Sequence, residues 1–124
     1  MWVLCNPNPR RAHVGDCVIR AIAIATDKRW YDVYDELTAL GREEANMPNA
    51  DAVWCKLLYR YGFEPFLLPD ACPKCTTVRR FSEMFPIGTY IIGTGTHAVC
   101  VMEGDYYDSW DSGSETPSFF WRVK

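Results

Sequence analysis

Residues 13–26 read HVGDCVIRAIAIAT. Gly15 closes an irregular start, Asp16 is a good N-cap residue, and the pattern predicts a helix from Cys17 to about Ala25. Val18, Ile19, Ala21, Ile22, Ala23, Ile24 and Ala25 surround that helix, which marks it as central and buried rather than amphipathic. Its first residue is a thiol. At a helix N-terminus the macrodipole favours thiolate over thiol, and the first turn is where a buried helix emerges from the core. Cys17 is therefore placed to open on a cleft.

Upstream, residues 1–15 read as loop, with Pro7, Pro9 and Gly15 breaking any period. Downstream, Trp30, Val33, Tyr34 and Leu37 predict a second helix stopped by Gly41. After the polar connection REEANMPNAD, a third helix starts near Asn49, carries Trp54, Leu57, Leu58 and Tyr61 on one face, and ends at Gly62. FEPFLL is a short strand, assigned to a sheet edge because Pro65 removes a ladder donor. PDACPKC is a loop, and TTVRRFSEMF a short helix closed by Pro86. The pattern then changes to strands: TYIIG, THAVCVM, the turn EGD, YYDSW and finally SFFWRV. Helices followed by an antiparallel meander give an α+β fold, with a buried central helix packed on a C-terminal antiparallel sheet.

A chain of 124 residues fits one domain, 1–124. A hydrophobic share of 48% argues against disorder, and a net charge of -3 supplies no basic footprint for nucleic acid. No apolar run approaches the roughly 20 residues of a membrane span, and MWVLCNPNPRR lacks the layout of a signal peptide. Six cysteines without an export signal read as free thiols, metal ligands or a nucleophile, so the expected location is cytoplasmic.

His97 opens a strand that otherwise reads as core, a position that suits an imidazole with a task. If the next hairpin turns at Glu103-Gly104 or Gly104-Asp105, Asp108 stands opposite Val99 or Val101 and shares the face of His97. Two-residue loops are the commoner hairpins, and Gly104 suits one. Asp108 is thereby a candidate to orient the His97 ring, with Asp111 as the alternative orienter.

Cysteine at the start of a central N-terminal helix, histidine opening a later strand and aspartate on the neighbouring strand resembles the chain order of papain-like cysteine peptidases. GDCVIRAIA and GTYIIGTGTHAVCVMEGDYYDSWDS look most like small papain-fold proteins encoded by phages of gut bacteria. In layout the chain is also similar to the bacteriocin-processing (double-glycine) peptidases, and GDCVIRAI is similar to the ovarian-tumour-type deubiquitinases. The resemblance implies a papain-like domain and a cysteine hydrolase of peptide or isopeptide bonds, or an acyl transferase or deamidase. It further implies a Cys17–His97–Asp108 triad, a thioester intermediate and no cofactor. The partner would be a peptide or protein substrate, for a phage protein a bacterial host protein in the host cytoplasm, with neither nucleic acid nor membrane. Val18 stands where papain-type enzymes carry tryptophan, and Arg11 where they carry the glutamine of the oxyanion hole. Asn8, Asn6 and the Cys17 backbone N–H are the donors open to that role.

Cys72 and Cys75, in CPKC, have the spacing of half a zinc site, with Cys5 or Cys55 as further ligands, or form a loop-stiffening thiol pair. Trp110, Phe119, Phe120 and Trp121 read as core, with part of the set walling a cleft beside Asp108. Two other functions compete with the hydrolase: a catalytically silent papain-fold protein binding a host factor, and a small zinc-stabilised binding module.

Overall fold

The computed structural model describes residues 1–68 and 76–124. The CPKC segment with Cys72 and Cys75 lies outside them. The fold is α+β. Among the described residues, four helices accompany a mixed six-stranded sheet. In chain order these are β1 (Trp2–Leu4), α1 (Cys17–Thr26), α2 (Trp30–Glu44), α3 (Asp51–Arg60), β2 (Glu64–Leu67), α4 (Val78–Met84), β3 (Thr89–Gly93), β4 (Ala98–Met102), β5 (Asp105–Asp108) and β6 (Phe119–Arg122). The strand order is β1-β5-β4-β3-β6-β2. No described helix is long and apolar enough to cross a membrane.

The two faces of the sheet hold separate cores. On one, Ile91, Ala98, Cys100 and Trp121 meet Val18, Ala21 and Ile22 of α1, Val33 and Leu37 of α2, and Trp54 and Leu58 of α3. On the other, Tyr90, Ile92, Val99, Val101, Tyr106 and Phe120 pack on Val78 and Phe81 of α4. Cover on both faces explains why β3 and β4 read as nearly unbroken apolar runs. No α1 residue is exposed, as expected of a helix set between the sheet and α2.

The β4–β5 turn falls at Glu103-Gly104, both with positive φ (50° and 84°), and pairs Cys100 with Tyr107. A two-residue turn of that hand matches strand twist. Pro65 sits on an edge strand, as its missing N–H requires.

Three expectations change. The loop-like N-terminus contains β1, which runs parallel to β5 with Leu4 opposite Asp108, so the sheet is mixed and not drawn from the C-terminal half alone. Gly41 does not stop α2. It is buried within the helix, where a Cβ would stand 2.8 Å from the Asn46 carbonyl oxygen, and the helix runs on to Glu44 before Ala45 turns left-handed. Asp16 occupies the N-cap position of α1 but makes no side-chain capping bond, because its carboxylate is engaged elsewhere.

Candidate active site

Cys17 is the first residue of α1, His97 immediately precedes β4, and Asp108 ends β5. The Glu103-Gly104 turn decides that the last two share one end of the hairpin, and α1 packs across β4 with its first turn at that end. His97 Nε2 lies 2.6 Å from Asp108 Oδ2. A carboxylate only accepts, so Nε2 donates, and Nδ1 is left for the Cys17 thiol. The contact is short, as charge-assisted hydrogen bonds are.

Asp108 is buried and fully employed. Oδ2 also accepts from Ser112 Oγ at 2.7 Å; Oδ1 accepts from the Ser109 N–H at 2.7 Å and from Arg20 Nη2 at 3.4 Å. Burial alone would raise its pKa; hydrogen bonds from His97 and Ser112, the His97 charge and the Ser109 N–H outweigh it and hold the carboxyl below its ordinary range.

Burial opposes the imidazolium of His97, yet hydrogen bonding to Asp108 and Cys17, with their charges, raises its pKa to about 9. Burial likewise opposes the Cys17 thiolate, but hydrogen bonds from His97 and the Ala98 backbone, and the charges of His97 and Arg20, bring the thiol below its ordinary 9.0. Of the four cysteines in the described residues, Cys17 alone moves that way. Burial raises Cys5 against the lowering charge of Arg11, lifts Cys55 to about 11, and pushes Cys100 far upward. Cys17 is also only half-buried.

Arg20, itself buried, links this group to the start of α1. It bridges Asp108 to Asp16, one helical turn before it. Asp16 further accepts from Trp30 Nε1 at 2.9 Å and Asn8 Nδ2 at 3.0 Å. The carboxylate that would have capped α1 is thus turned into the core, and the first-turn N–H groups are left for another acceptor.

Cys17 and His97 open on a cleft of about 320 Å³. Val18, Asn49, Asp51 and Trp54 form one side, and Gly95, Thr96 and Ala98 the other. Trp110 covers the His97 ring, with centroids 4.9 Å apart, and is 43% exposed. Phe119 stacks on Trp54, so two aromatics of the C-terminal set touch residues of the cleft without lining it.

Three sequence candidates are placed elsewhere. Asn8 spends its amide on Asp16 and on the Arg10 and Ala12 N–H groups. Asn6 donates to the Ala12 carbonyl and lines a different depression with Arg11 and His13. Asp111 accepts from the Tyr106 hydroxyl at 2.6 Å and lies 3.5 Å from Arg79, so its carboxylate is occupied away from His97. Of the three donors expected from the sequence, the Cys17 N–H is the one that stays beside the thiol.

Sequence reading missed Arg20, Ser112, Asn49 and Asp51 as members of the site. An arginine inside an otherwise apolar helix was the available signal for Arg20, since a buried guanidinium requires carboxylate partners. The cleft residues of α3 carry no local signal. Compared with protein-family models, curated proteins and solved structures, the chain gives no match.

Proposed function

We propose that the chain is a papain-like cysteine hydrolase acting on peptide or isopeptide bonds through a thioester. The observation that carries this reading is the His97 ring, held at 2.6 Å by Asp108 through Nε2 and opening with the Cys17 thiol on one cleft, where it draws the thiol below its ordinary pKa. A nucleophile, a base and an orienter in that order are what acyl transfer to a thiol requires.

The steps follow from where the proton rests. His97 keeps its proton up to about pH 9, and its hydrogen bond and charge draw the Cys17 thiol below its ordinary value, which favours thiolate beside imidazolium. The sulfur attacks the carbonyl carbon, and the oxyanion takes the unpaired first-turn N–H of Cys17, aided by the helix dipole. The C–N bond breaks as His97 gives its proton to the leaving amine. Water then attacks the thioester, His97 removes its proton, and the thiolate is expelled with release of the acid. An amine in place of water turns the same sequence into acyl transfer. Asp108 keeps the ring in register and stabilises its cationic form throughout.

Substoichiometric iodoacetamide at neutral pH tests the reading, with label located by peptide mass spectrometry and turnover followed on internally quenched peptides. Residue 17 should carry the label, and Cys17→Ala and His97→Ala should each remove turnover. Label on another cysteine, or turnover surviving Cys17→Ala, sinks it. Label on Cys17 without turnover of any peptide favours the silent interaction protein.

A further inference from the structure

We infer that the cleft beside Cys17 selects a substrate carrying a positive charge next to the reacting carbonyl, with Asp51 as the residue that reads it. The inference rests on the hydrolase reading for its reaction but not for its ligand chemistry.

Asp51 is the first residue of α3 and lines the same cleft as Cys17 and His97. Its position is built: Oδ1 accepts from Trp54 Nε1 at 3.0 Å, and Trp54 is 1% exposed. The other carboxylate oxygen has no partner among the described residues, and Asp51 itself makes no ion pair there. The two cations of its own helix do not neutralise it, since Lys56 pairs with Glu44 and Arg60 with Glu43 of α2. Among the described residues that line the cleft, Asp51 is the one carboxylate.

The other walls suit an amphipathic cation. Val18 and Ala98 supply apolar surface for methylenes, while Asn49 and Thr96 add a carbonyl oxygen and a hydroxyl within the same opening. Lysine and arginine side chains divide themselves in that way, an apolar stem and a charged head. An acid at the start of a helix also stabilises the helix dipole, and that role alone accounts for its presence at this position. It does not account for a carboxylate with a free oxygen on the wall of the thiol's own cleft, and the two roles part in experiment.

Cys17 is modified with two methanethiosulfonates of similar size, one bearing a trimethylammonium and one a sulfonate, at low ionic strength and neutral pH. The rate at residue 17 is followed by mass spectrometry and normalised to an uncharged reagent. The cationic reagent should react faster than the anionic one. Asp51→Asn should reduce that preference severalfold, as expected for removing a solvent-exposed carboxylate from the wall of the cleft. Added salt should shrink the preference in the parent and matter less in the variant. An unchanged ratio in Asp51→Asn overturns the inference and leaves Asp51 as a helix-dipole residue. Failure of Cys17 to react with either reagent overturns both this inference and the hydrolase reading. Quenched peptides with arginine, glutamate or alanine beside the scissile bond, and one with a free terminal ammonium there, separate the readings further. Turnover without preference for a cation removes the inference and keeps the hydrolase, whereas charge-selective labelling with no turnover keeps the ligand class and removes the hydrolase. Preference for the terminal ammonium over arginine assigns the cation to a chain end.

Discussion

At pH values where Cys17 is ionised and His97 is not yet deprotonated, the folded pair holds one proton, on nitrogen. Unfolded, between the ordinary 6.5 of histidine and 9.0 of cysteine, the same two residues also hold one proton, on sulfur. Folding therefore moves a proton between them without net uptake, and the pair contributes a level increment to stability across that window. Taken singly, the signs oppose. A raised His97 stabilises fully below 6.5 and loses its contribution as pH rises through about 9. A lowered Cys17 stabilises above 9.0 and loses its contribution as pH falls through its folded value. Cys17→Ser removes the second and leaves His97 still raised by Asp108. Relative to the parent, its stability should then fall as pH rises above 6.5, by at most about 1.4 kcal/mol per pH unit. Urea midpoints from pH 6.5 to 8.5 measure this; parallel profiles for the two proteins would place the proton on sulfur and remove the resting ion pair. Asp108→Asn tests the orienter. It lowers the His97 pKa, so the alkaline fall in turnover, set by loss of the proton that His97 gives the leaving amine, should move down from about pH 9.

Among the elements, α1 carries the largest share of the arrangement, and Arg20 is its unusual member. The guanidinium lies between Asp16 and Asp108, joining the start of α1 to the end of β5. Arg20→Met keeps the helix and most of the volume but strands two buried carboxylates, which should cost about 3–5 kcal/mol. Chemical denaturation gives the loss directly, and a loss under about 1 kcal/mol would mean that Trp30, Asn8, His97 and Ser112 suffice for the two acids. The same element marks how far the sequence can be read. The start of α1 was legible because an N-cap residue type and an apolar run are local signals, and the face shared by His97 and Asp108 because Gly104 favours a two-residue turn, though not which of two registers that turn takes. The use of Asp16 was not legible, since capping is the local choice and Arg20, Trp30 and Asn8 compete for it only in the folded state. Gly41 has the composition of a stop and the position of a packing contact, which only the approach of Asn46 reveals. β1 is three residues between an end and prolines, and its partner lies about a hundred residues on. Nothing local announces it. Its weight is measurable: Trp2 donates to the Asp108 carbonyl at 3.2 Å and packs on the α4-side core, so Trp2→Ala should lose about 2–4 kcal/mol in denaturation.

For the molecule as a whole, the site lies on a seam. The sulfur belongs to the helical layer, the imidazole and its carboxylate to the sheet, and Asp51 to a third helix resting on α2. No single element holds two of the three groups that set the thiol's reactivity, apart from the β4–β5 hairpin with His97 and Asp108. Such a site exists only while the layers are docked, and the contacts that dock them are the core itself: Val18, Ala21 and Ile22 against Ala98 and Cys100. Local opening of α1 from β4 would expose that apolar face with no compensating partner, so the seam should open only with the rest of the fold. The excess reactivity of Cys17 over a free thiol, measured at neutral pH with a neutral electrophile across a urea series, should vanish at the same midpoint as the far-ultraviolet helix signal. Loss of reactivity at lower urea, with the helix signal intact, would mean that the first turn of α1 parts from His97 independently. The core of α1 and the geometry of the site would then belong to separate units of stability.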